Sequence, residues 1–196
     1  MRWLVAVTAP VLLAACAAFA PEDADMHSAT LDKLPAEVPQ ARCAPAVLAV
    51  ARPDVRPMYD TTQMAYTLRA HQVAYFARHQ WAETPGQMLH PLLARTLERT
   101  GCFGVVLAQP GAGATHTLRA DIMELVQDFS QEPPVLRLGL RVRLDAVGSA
   151  RPPVQRTLTV TEPMRQKGPL AGVDAANDAV AQALRQTAAF VLEQMR

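Results

Sequence analysis

The side chains able to attack, exchange protons or hold a metal are few and scattered. Serine stands only at Ser28, Ser130 and Ser149, and none lies in the Gly-x-Ser-x-Gly turn that exposes a nucleophile at the end of a strand. His27, His71, His79, His90 and His116 show no spacing that would bring two imidazoles to one metal ion. Asp174 and Asp178 sit one helical turn apart near a helix start, where carboxylates complement the helix dipole and have no need to trade protons. No glycine-rich loop is built to cradle phosphate, so any ATP is hydrolysed by a partner. The expectation is a protein that is not an enzyme, with no cofactor and no metal.

Charge narrows the partners. Nineteen Lys and Arg face 18 Asp and Glu for a net charge of +1, which argues against wholesale binding to nucleic acid, since that needs a basic excess. With 50% hydrophobic and 19% charged residues over 196 positions, the chain fits one globular domain with appendages. Three cysteines are too few for a disulfide scaffold.

Those cysteines are nevertheless the most informative residues. Met1-Arg2 is a minimal positive start, and Trp3 to Leu13 is an apolar stretch too short to cross a bilayer as a helix. It ends in Leu13-Ala14-Ala15-Cys16, which resembles the lipobox of bacterial lipoproteins. The resemblance implies that Cys16 is the lipidation site, that residues 1–15 are a signal peptide cut before it, and that the new amine is acylated too. Each buried methylene adds about 0.8 kcal/mol, so two or three acyl chains form a stable membrane anchor. The other readings are an ordinary signal peptide cut near Ala18 or Ala20 and a buried N-terminal helix. Ala17 and Ala18 follow the cysteine where an Asp would favour inner-membrane retention, so the resemblance places the chain at the periplasmic face of the outer membrane.

Residues 16–42 carry Pro21, Pro35 and Pro39 among acidic side chains without periodicity, and are expected to form a flexible tether. A single domain is expected over residues 43–196. Ala46 to Ala51 and Phe103 to Ala108 are short apolar runs that read as buried strands. Thr62 to Leu68 and Gln72 to Arg78 read as a hairpin around Arg69-Ala70-His71. Thr84-Pro85 opens a helix as cap and first residue, Met88, Leu89, Leu92, Leu93 and Leu97 form its stripe, and Gly101 stops it. Thr115 to Phe129 alternates with a phase slip at Ile122 and Met123, the mark of a bulge. Leu136, Leu138, Leu140, Val142 and Leu144 alternate against Arg137, Gly139, Arg141, Arg143 and Asp145, as in a half-buried antiparallel strand. Val154 to Val160 repeats that pattern, and an alanine-rich helix runs from Val173 to Met195.

This order predicts an α+β fold: a two-layer sandwich whose mixed, mostly antiparallel sheet carries two amphipathic helices on one face. Cys43 and Cys102 each precede a buried strand. If those strands are parallel neighbours the thiols share one end of the sheet, and an oxidising compartment favours a disulfide between them. Two separate buried thiols are the other arrangement.

Pro57-Met58-Tyr59-Asp60, Met64-Ala65-Tyr66 and Trp81-Ala82-Glu83-Thr84-Pro85, behind the lipobox, resemble the ABC-type transport auxiliary lipoprotein family. The resemblance spans residues 43–196. It implies a lipoprotein partner of an MCE-domain protein and, through it, of an ABC permease and ATPase, docking the periplasmic machinery for phospholipid traffic between membranes. An assembly-factor lipoprotein, for lipopolysaccharide or outer-membrane proteins, is the alternative. The family is not enzymatic, so it carries over no catalytic residue. Tyr59, Tyr66, Tyr75, Phe76 and Trp81 crowd one segment, and large amphipathic rings dominate binding hot spots. Tyr59, Tyr66 and Trp81 are therefore the candidate partner-binding residues; Trp81 reads first as a core wedge, and Tyr59 and Tyr66 read equally as tyrosines hydrogen-bonded at the sheet margin. Arg137, Arg141 and Arg143 share a strand face suited to acidic groups or, with Arg119, Asp121 and Asp145, to cross-strand ion pairs.

Overall fold

Leu136, Leu138, Leu140, Val142 and Leu144 are all buried. Arg137, Arg141 and Arg143 project from the opposite side of the same strand, the first two toward Glu124 and Asp121 of the neighbouring strand and Arg143 toward Asp145 of its own. That period-two split divides the molecule into a helix-covered face and an open face. The computed structural model describes residues 25–150 and 152–196. Cys16 and the expected signal peptide lie outside them. In chain order the elements are β1 (His27–Ala29), β2 (Val47–Val50), β3 (Asp54–Val55), β4 (Gln63–Thr67), β5 (Ala74–Trp81), α1 (Pro85–Glu98), β6 (Val105–Leu107), β7 (His116–Asp128), β8 (Val135–Ala146), β9 (Val154–Pro163) and α2 (Pro169–Gln194).

The described residues form a nine-stranded mixed sheet centred on β7. One edge of β7 meets β2, β3 and β4 in succession, all parallel to it, and the other edge pairs antiparallel with β8 along its length. β9 continues the sheet beyond β8, again antiparallel. The long ladders are thus antiparallel, while the parallel ones are short. The expected bulge lies in β7 between Ile122 and Glu124.

Both helices pack on one face. In α1 the N–H of Thr84 donates to Oε1 of Gln87 at 3.0 Å, so the cap and the third helical residue close the first turn. The five stripe residues are buried. Gly101, at φ +67°, takes the left-handed conformation that ends the helix. α2 begins one turn earlier than expected, and its small residues let it lie close to the sheet. A Cβ on Gly172 would fall 2.0 Å from the Gln127 amide, so a larger residue here would have to push that buried side chain aside. Trp81, Leu89, Ile122, Leu140, Leu184 and Phe190 belong to one continuous core between the layers.

The expected tether needs correction over its described part. β1 pairs parallel with β5, with Ala29 opposite Trp81. Leu31 is 4% exposed in the main core. The Arg99 guanidinium donates to the carbonyls of Pro35 and Ala36 at 2.7 and 2.9 Å. The N–H of Ala41 donates to the Thr100 carbonyl at 3.1 Å. Residues 26–42 are thus a strap laid across the domain. Proline prevents regular structure, not packing, and the scattered Leu31, Leu34 and Val38 in a polar run leave no period to detect.

Candidate functional site

The strap ends at Cys43, which forms a disulfide with Cys102 across a Cα–Cα distance of 4.8 Å. β2 and β6 are parallel neighbours with Val47 opposite Val105, so the residues ahead of them meet at one end of the sheet.

On the open face, the turn Arg56–Tyr59, closed by the Tyr59 N–H to the Arg56 carbonyl at 2.7 Å, lays the Tyr59 ring on Ala65 and Val126. Tyr59 is 6% exposed. Burial pushes its phenol above the usual value, Glu124 adds to that, and Arg56 and Arg137 oppose it. Beside it, Arg137 donates from Nε to Oε1 of Glu124 at 2.9 Å and from Nη1 to Asp128. The Asp128 side chain is 4% exposed, and its Oδ1 also accepts the Ser130 N–H at 2.8 Å. Burial works against the Arg137 charge, but the bond to Glu124 and the charges of Glu124 and Asp128 outweigh it and hold the guanidinium above its usual pKa. Arg141 faces Asp121 at 3.6 Å, and Arg143 and Arg119 both face Asp145, at 3.6 and 3.5 Å. The expected cross-strand pairs are present. Glu124 and Asp128, which flank Val126 opposite Arg137 on β7, complete them. A groove of about 560 Å³ runs between this ladder and the β4–β5 hairpin, lined by Arg56, Thr67, Arg69, His71 and Arg137 among others. Ser130 Oγ donates directly to Oδ1 of Asp128 at 2.5 Å.

The helix-covered face ends in an aromatic margin. Tyr66 of β4 stacks on Phe76 of β5 at 4.6 Å between centroids and meets Phe129, just past β7, at 6.1 Å. Phe76 continues to His79 at 6.3 Å, and His79 to His27 at 5.0 Å. Tyr66, Phe76, His79 and Phe129 are only partly buried, His27 is exposed, and Leu68, two residues after Tyr66, is 59% exposed. A half-wet aromatic row offers apolar area with polar tips, the composition of protein-binding surfaces.

The three candidate partner-binding residues therefore separate. Trp81, 3% exposed, is core; Tyr59 is buried on the open face; Tyr66 alone joins the accessible row. For Trp81 and Tyr59 the expectation of a contact surface is corrected: strand parity turns Trp81 inward, and the Arg56 turn folds Tyr59 down. Phe129 and His27 were missed, because they join the row only through strand pairing. Among the described residues no group of three His, Cys, Asp or Glu is placed to hold a metal, and no helix is long and apolar enough to cross a membrane.

The fold has solved counterparts. Protein XCC0632 from Xanthomonas campestris superposes with a TM-score of 0.69 at 21% identity, over 83% of this chain and 91% of that one. A crystal structure of an uncharacterized protein gives 0.67 at 16%, over 88% and 99%. The hypothetical protein CT253 from Chlamydia trachomatis gives 0.51 at 13%, over 78% and 98%. At these identities the likeness is one of fold. No curated protein matches the chain in sequence. The family described as the ABC-type transport auxiliary lipoprotein component matches residues 30–188, from the strap through most of α2. With that span matched, the chain belongs to the ABC-type transport auxiliary lipoprotein family.

Proposed function

We propose that this chain is the non-enzymatic, lipid-anchored auxiliary component of an MCE-type ABC transport system. It stands at the periplasmic face of the outer membrane and docks the periplasmic machinery that moves phospholipid between membranes. The observation that carries the reading is the family match over residues 30–188. The Leu13-Ala14-Ala15-Cys16 box ahead of the matched span supports the anchor, with Cys16 as the acylated residue. ATP hydrolysis and membrane passage belong to the partners, and this chain contributes a fixed docking point. The row Tyr66, Phe76 and Phe129 supplies the contact with the MCE-domain protein, because it joins apolar area to a rigid hairpin.

The test is co-purification of the full chain from crosslinked membranes of a cell that also makes an MCE-domain protein, its permease and its ATPase. Recovery of the MCE protein with the chain supports the reading. Recovery of lipopolysaccharide- or porin-assembly factors in its place overturns it. In the same cells Cys16→Ser should abolish labelling by a palmitate analogue and release the chain from membranes, and persistent labelling would remove Cys16 as the anchor.

A further inference from the structure

β9 is the long free edge of the sheet. Its ten residues pair with β8 without a register shift, and among the described residues no strand lies on its other side. α2 covers its helix-side face, where Arg156 reaches Glu193 at 2.9 Å and lies 4.8 Å over the Phe190 ring, but it does not cover the edge. Proteins blunt such edges with lysine, an internal proline or a bulge, and β9 has none of these before its final Pro163.

The sequence of this edge is nearly symmetric about Thr159: Arg156-Thr157-Leu158-Thr159-Val160-Thr161-Glu162. Leu158 and Val160 belong to the main core, which places Arg156 and Glu162 on the helix side and the three threonines on the open side. Consider a second copy, antiparallel, related by a twofold axis through Thr159. Arg156 then stands opposite Glu162 of the partner subunit, Leu158 opposite Val160, and Thr157 opposite Thr161. Moving the axis by one residue either way sets Glu162 against Val154 or Leu158 and loses both ion pairs. Among the described residues, Glu162 has no ion-pair partner within its own chain.

We propose that β9 is a self-association edge: two copies join antiparallel about Thr159 into one continuous sheet, fixed in register by the reciprocal Arg156–Glu162 pairs. Main-chain hydrogen bonds supply the attraction, and the charge pairs and the matched Leu158 and Val160 select the register. The occupant is a second copy because the edge complements itself in charge, side-chain size and face at once. The inference does not depend on the transport partner.

The experiment uses the full chain purified in detergent, the unsubstituted chain serving as control for Cys16. Thr157, Thr159 and Thr161 are exposed, so cysteine at these positions leaves the core intact, which circular dichroism checks. Under oxidation Thr159→Cys should form a disulfide-linked dimer. Thr157→Cys alone should not, and Thr157→Cys/Thr161→Cys should. Arg156→Glu and Glu162→Arg each turn two attractions into two repulsions and should weaken dimerisation by about tenfold, while the double variant should restore it. A chain that stays monomeric, crosslinks as well at position 157 as at 159, or is not rescued by the double charge exchange overturns the proposal. An oligomer that forms with Thr159→Cys unlinked does so too, because it assembles through another surface.

Discussion

The side-chain oxygen of Asn177 accepts the backbone N–H of Asp32 at 2.9 Å, across 145 residues of sequence. The same oxygen takes the N–H of Lys33 at 3.1 Å, and the amide nitrogen donates to the Thr30 carbonyl at 3.0 Å. One amide thus holds both polarities of a segment without regular structure and sets Leu31 into the core. Lys33 adds an ion pair to Asp178 on the same helix.

Asn177→Ala should therefore loosen the strap before the rest of the domain. Removing three hydrogen bonds at a partly exposed site costs about 1–3 kcal/mol. Trypsin should then cut after Lys33 markedly faster in the variant, while the rest of the domain persists. Equal cleavage rates would show that Leu31 and β1 hold the strap without Asn177.

The Cys43–Cys102 disulfide closes a loop with a sequence separation of 59, worth about 4 kcal/mol in the chain-entropy account. Cys43→Ser/Cys102→Ser should lower the denaturant midpoint accordingly, and peptide mapping of the oxidised chain should recover the linked pair. Two free thiols in exported protein, or an unchanged midpoint, would contradict this.

Trp81→Ala and Tyr66→Ala should fail in different ways. Trp81 is 3% exposed in the main core, so its truncation should cost about 3–5 kcal/mol and reduce the yield of folded protein. Tyr66 is half-buried in a ring stack worth about 0.5–1.5 kcal/mol beyond its area, so the variant should fold, and under the docking role proposed above it should bind the MCE-domain protein at least about tenfold more weakly. Full binding by folded Tyr66→Ala would move the contact to the Arg137–Arg141 face.

His116 makes stability depend on pH. Burial lowers its pKa below the ordinary 6.5, because the charged ring is disfavoured where it packs. The unfolded chain then binds the proton more readily, so this stability is fully present above 6.5 and is lost as pH falls toward the folded value. Denaturant midpoints measured between about pH 5 and 8 should decline on the acid side less in His116→Gln than in the native chain. Parallel curves would place the acid sensitivity elsewhere.

Local periodicity and capping made β8, α1 and the bulge in β7 legible in sequence. Each depends on neighbours within a turn or a pleat: Leu136 to Leu144 at period two, Thr84-Pro85 ahead of a stripe, and a phase slip at Met123. β1 and β3 were not legible, being three- and two-residue pairings that exist only because β5 and β7 lie alongside. The strap was misread for the same reason, since Asn177, Arg99 and Met88 hold it from distant elements.

Sequence by itself determined the alternation of faces, the two helices and the caps of the first, the α+β class, and the residues that carry the family resemblance. These follow from side-chain chemistry within a few residues. Tertiary structure alone decided which of three similar aromatics meets solvent. Tyr59, Tyr66 and Trp81 lie within one short segment, yet one is folded down by a turn, one stacks at the margin of the sheet and one enters the core. Exposure depends on what covers a residue, and here the covers are β7, Phe129 and the helices, which no local pattern around those three residues encodes.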